Sequence, residues 1–101
     1  MDPERLSDIQ IADVVIATAG RDTGKHFYVI DVDGVYLSLV NGKDRTLEKP
    51  KLKKRKHIDK VLRSETRVAE KIRNGDKVLN SELRRDLVYL DREMQSNNLG
   101  G

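Results

Sequence analysis

The chain has 101 residues, 37% of them charged and 37% hydrophobic, with a formal net charge of +3 at pH 7. That length fits one small domain, which can bury a core but is too small to enclose a substrate cleft between domains. Cysteine is absent, which excludes a disulfide framework and thiolate chemistry, and no run of about 18 apolar residues offers a membrane span.

In chain order, the opening MDPERLSDIQ is acidic and polar, the opposite of a secretory leader, and a cytoplasmic location is expected. Val14, Val15, Ile16 and Ala17 predict a first strand, stopped by Gly20. The stretch from Gly20 to Lys25 is a turn with two glycines, able to present backbone N–H groups to a phosphate. Phe27 to Val32 predicts a second strand. Asp33-Gly34 is a tight-hairpin signal, and a third strand follows from Val35 to Val40. Asn41-Gly42 is another such signal, leading to a short strand around Arg45 to Glu48. After a basic loop at Lys49 to Lys53, Arg55 to Val61 returns as a final strand. Five short strands joined by tight turns within about fifty residues predict a small closed barrel.

Beyond the barrel the spacing becomes helical. Ser64 is the expected N-cap of a helix from Glu65 to Arg73, with Val68 and Ile72 on one face and Gly75 as terminator. Asn80 is expected to cap a second helix to about Gln95, whose Leu83, Leu87, Leu90 and Met94 form an apolar stripe. The division is therefore a barrel over 9–62, a helical extension over 63–95 and a disordered tail over 96–101.

Charge is distributed unevenly. Residues 1–42 carry a net −4, residues 43–63 a net +7, and the rest is neutral. Such asymmetry points to a polyanionic partner. The run Lys49, Lys51, Lys53, Lys54, Arg55 and Lys56 is the main signal. In an extended chain, Lys51, Lys53 and Arg55 share one face while Lys54 and Lys56 take the other. Arg21, Lys25, Lys43 and Arg45 add to it, with Gly24 shaping the turn. Among the aromatics, Phe27 and Tyr28 have opposite faces in a strand, so at most one is expected in the core. Tyr28 is taken as the exposed ring, on which an unpaired base stacks. Neutralising about five phosphates implies a log–log salt slope of about −4 to −5.

The segment from Ile11 to Val40, IADVVIATAGRDTGKHFYVIDVDGVYLSLV, resembles a KOW motif. Gly24 followed by Lys25 matches the hallmark glycine and its basic neighbour, and Val29, Ile30 and Asp31 match the second strand. The continuation LEKPKLKKRKHIDKV resembles the closing basic strand of the archaeal and eukaryotic large-subunit ribosomal KOW proteins, and the helical tail is similar to that of short bacterial proteins of this group. The resemblance implies a mainly β fold, an SH3-like barrel of about five strands before a two-helix extension. It also implies structured or ribosomal RNA as partner, and ribosomal proteins or RNA polymerase as further partners.

Other chemistry fits poorly. GRDTGKH places only three residues between its glycines, and His26 stands where a phosphate-binding P-loop needs Ser or Thr. Asp31-Val-Asp33-Gly34 lacks the acidic twelfth position of a calcium loop, and His26 and His57 have no ligand partners at metal spacing. No catalytic constellation, cofactor or metal is expected. The alternatives are a protein-interaction module, with the acidic first third as its face, and DNA binding by the two C-terminal helices. The second helix opens with only Arg84 and Arg85 as donors, few for a recognition helix.

Overall fold

A computed structural model describes residues 9–100, with side chains to residue 95. Residues 1–8 and Gly101 lie outside the described residues, and with them the acidic opening and the last residue of the expected tail. Five strands form one antiparallel sheet: β1 (Asp13–Ala17), β2 (His26–Asp33), β3 (Tyr36–Val40), β4 (Lys51–Lys54) and β5 (Ile58–Arg63), in the order β4-β3-β2-β1-β5. Two helices follow, α1 (Arg67–Asn74) and α2 (Asn80–Gly100).

The turns follow the glycines. Asp33 pairs with Tyr36, leaving Gly34-Val35 as a two-residue hairpin loop with Gly34 at φ 61°. The short strand expected around Arg45 to Glu48 is instead a turn closed by a single bridge between Thr46 and Lys49. Here Asn41 Oδ1 accepts from the N–H groups of Lys43 (2.9 Å) and Arg45 (3.0 Å), bending the chain where a ladder would have run. Most of the basic loop expected at Lys49 to Lys53 is strand: β4 begins at Lys51. The last strand starts at Ile58, because Arg55–His57 form a 3₁₀ turn.

That turn dictates the shape of the sheet. Five flat strands would hold β4 and β5 about 19 Å apart. Three residues of 3₁₀ helix advance only about 6–8 Å, so the sheet curls. Lys53 Nζ donates to Ala19 O just beyond β1, and Thr18 N–H donates to His57 O at 2.9 Å, tying the corners together. One sheet face accordingly covers itself: Val15, Ala17, Phe27, Val29, Leu37, Leu39 and Ile58 pack with Ile9 and no helical residue.

The opposite face is covered where the helices lie on it. Val14, Tyr28 and Val40 pack under Ala69, Leu83 and Leu90, with Val68, Ile72 and Leu87 around them. Val14 pairs with Tyr28 and Val15 with Phe27, so the pleat sends alternate side chains into the two cores. Phe27 and Tyr28 do point opposite ways, but both are fully buried. The expectation that only one would be core fails because the helices roof the second face. A Cα radius of gyration of 13.1 Å matches the value of about 13 Å for a compact chain of this size, so the extension is docked.

The helix ends differ from expectation. Thr66, not Ser64, caps α1, its Oγ1 accepting from Ala69 N–H at 3.2 Å. Ser64 is buried against the Tyr28 hydroxyl at 2.8 Å. Gly75 ends α1 at φ 74° as its sequence suggests. Asn80 does not cap α2 but ties down the preceding loop, accepting from Leu47 N–H and donating to Glu48 Oε1, both at 2.9 Å. Glu82 accepts from Leu79 N–H instead. Helix α2 continues to Gly100, past the end expected near Gln95; no proline interrupts it and Gln95 reaches back to Asp91 at 3.0 Å.

Candidate nucleic-acid interface

The glycine turn folds around a buried carboxylate. Asp22 Oδ2 lies 2.8 Å from Arg45 Nη2 and its Oδ1 3.5 Å from Lys25 Nζ, while Lys25 reaches Asp44 Oδ2 at 2.6 Å. Burial alone would raise the Asp22 pKa, but the hydrogen bond and charge of Arg45, reinforced by Lys25, outweigh it and hold it below the usual carboxylate value. The hydrogen bond to Asp44 raises Lys25 in turn, and Lys25 lowers Asp44. Lys25 and Arg45 therefore join the turn to the loop after β3 before they can serve any ligand. Half of the turn's N–H groups are committed as well: those of Thr23, Gly24 and Lys25 donate to Gly20 O, Ala17 O and Asp22 O, which takes them out of the expected N–H cradle. Arg21 is exposed beside it.

Strand β4 shows the expected alternation. Lys51 and Lys53 are half-buried, paired with Leu39 and Leu37 over the self-covered core, whereas Leu52 and Lys54 are exposed. Lys53 is held on Ala19 O, and a Cβ at Gly20 would come within 3.0 Å of its Nζ. Lysines turned inward on an edge strand also discourage pairing with another chain. Arg55 is half-buried and its Nε has no hydrogen-bond partner among the described residues. Lys54 Nζ stands 5.9 Å from the Tyr36 ring centre, and Lys49 and Lys56 extend outward. Arg21, Lys43, Lys49, Lys54 and Lys56 are exposed and form no ion pair with a described residue.

Tyr28 cannot meet a base. Its ring has no exposure, and its hydroxyl lies 2.8 Å from Ser64 Oγ and 3.3 Å from Thr66 Oγ1 while donating to Asp86 on α2. Burial and the Asp86 hydrogen bond push its pKa up to about 12. The tyrosine is a bolt between β2, the start of α1 and α2.

Sequence reading missed the helical side of the site. An open groove of about 1080 Å³ lies between Gly24, Lys25, Lys43 and Asp44 on the sheet side and Arg84, Arg85, Val88, Tyr89 and Arg92 on α2. Arg84 Nη1 donates to Gly42 O at 2.6 Å and fixes the gap. Five cations, Lys25, Lys43, Arg84, Arg85 and Arg92, line it against the carboxylates Asp44 and Asp91. The missed signal was present: Val88 and Tyr89 are large residues off the Leu83–Met94 stripe, flanked by arginines. Among the described residues, no three His, Asp or Glu side chains gather to hold a metal ion, and no helix is long and apolar enough to cross a membrane. No protein-family model matches the sequence, and no curated protein matches it either.

Proposed function

We propose that the protein is a non-catalytic binder of structured RNA, built on an SH3-like barrel of the KOW type, with ribosomal RNA as the class of target. The strand order, the self-covered sheet face and the 3₁₀ turn before the last strand support the barrel reading. One observation carries the function: exposed Lys43 stands in a groove opposite the arginine-bearing side of α2, and Lys49, Lys54 and Lys56 add exposed cations that form no ion pair with a described residue. A folded polyanion satisfies both walls at once. Phosphate contacts supply affinity, and the shape of the groove sets orientation. Each phosphate neutralised releases counterions, so binding weakens steeply with salt. Replacing Lys43, Lys54 and Lys56 by alanine should flatten the log–log salt slope by about 2–3 and weaken binding across RNA sequences. An unchanged slope would refute the assignment.

A protein partner such as a ribosomal protein or RNA polymerase is the second reading, favoured by a small apolar patch. Tyr36 and Leu52 are exposed on the same face of the β3–β4 pair, with Val35 beside them in the hairpin. A complex that survives ribonuclease and high salt but is lost in Leu52→Asp would support it. The acidic first third is a weaker docking face than its composition suggests, because Asp13 and Asp22 are buried in ion pairs.

A further inference from the structure

We infer that Tyr89 of α2 is a stacking site for an unpaired nucleotide of RNA, with Arg85 and Arg92 holding the adjoining phosphates. The inference rests on the RNA-binding reading and gives it a place and a preferred form of RNA. Tyr89 is 53% exposed and Val88 51%, although α2 buries its apolar stripe at Leu83 and Leu90. The ring is a member of neither apolar core. Arg85 precedes it by four residues and Arg92 follows by three, which places one cation a helical turn to either side. Neither arginine forms an ion pair with a described residue. Lys43 stands across the groove, exposed and likewise unpaired.

An aromatic face between cations suits a base whose neighbouring phosphates are within reach. Bases in a duplex are already stacked and shielded, so the site selects loops, bulges and single strands. The groove is set before binding: Arg84 is held on Gly42 O, and Gly42 packs against Asn80 and Leu83 at the start of α2. A site already in position loses less ordering entropy on binding. Charge argues against a second copy of the chain as occupant. The same cationic groove would face itself, and two exposed apolar residues are too few for the apolar centre of a stable dimer.

The test measures fluorescence anisotropy of a labelled oligouridine of about 12 nucleotides, within the span a single-strand site covers, and of an RNA duplex of equal length, at one salt concentration. Tyr89→Ala should weaken single-strand binding by about tenfold or more while duplex binding changes little. Tyr89→Phe should restore it, and Tyr89→Gln, which keeps a good helix former, should match the alanine variant. Arg85→Ala with Arg92→Ala should weaken both probes. If the parent protein binds RNA and Tyr89→Ala binds oligouridine equally well, the stacking site is refuted while the RNA reading stands. If the parent binds neither probe, both fall. A sedimentation mass that drops on Tyr89→Ala would instead mark this face as an interface between copies and also overturn the proposal.

Discussion

Asp22 is the anion around which the cationic loops assemble, and its role is measurable. Its pKa is lowered in the fold, so near pH 4 the folded state binds fewer protons than the unfolded one. The stability it supplies is present above the unfolded carboxylate value of about 3.9 and disappears as pH falls through the lower folded value. Asp22→Asn should therefore lower the melting temperature at pH 7, and the gap to the parent should close in acid. A constant gap across pH would show that the ion pairs with Arg45 and Lys25 contribute nothing. Tyr28 works in the other direction. Its pKa of about 12 lies above the ordinary tyrosine value of about 10, so its contribution is complete below pH 10 and lost as pH rises toward 12. Tyr28→Phe should cost about 1–3 kcal/mol at neutral pH, because buried Ser64 and half-buried Asp86 lose a partner. The difference between parent and variant in tyrosinate absorbance should isolate a step displaced toward pH 12.

Among the elements, the loop from Asn41 to Pro50 decides where α2 sits. Gly42 has φ 76°, and a Cβ there would collide with the Asn80 carbonyl, a backbone group that cannot swing aside. Gly42→Ala should destabilise by about 3 kcal/mol or more, combining left-handed strain with overpacking. Gly24 also has positive φ but open space around it, so Gly24→Ala should cost only about 1–2 kcal/mol. Urea melts of both variants would check the contrast, and equal losses would contradict it. At this scale the sequence was a good guide wherever a side chain acts on its own segment. The β-branched runs became β1 to β3, Gly34 and Gly75 ended their elements, and Leu83, Leu87 and Leu90 of the apolar stripe joined the core under the sheet. It misled where partners are remote. Ser64 and Asn80 look like caps by composition, yet Tyr28 and Leu47, more than thirty residues away, claim their side chains.

In the whole molecule, the helices close one of the two cores and are not an appendage. Tyr28, Val14 and Val40 face them, which is why a tyrosine that alternation suggested was free is sealed. A chain ending at residue 63 should be unable to fold cooperatively, since it would leave that apolar face open, and circular dichroism melts would reveal it. A sharp transition in the fragment would contradict the two-core arrangement. The candidate site was half legible for the same reason. Lysines clustered in sequence from Lys49 to Lys56 announced themselves, whereas the α2 wall became part of a groove only through docking that no local pattern encodes. The most direct test of RNA binding is ultraviolet crosslinking in cells, with the attached nucleic acid sequenced and the crosslinked peptides mapped. The expected result is RNA joined to peptides from residues 41–56 and from α2 around Tyr89. Recovery of no nucleic acid, or crosslinks confined to the acidic hairpin at Asp31 and Asp33, would contradict it.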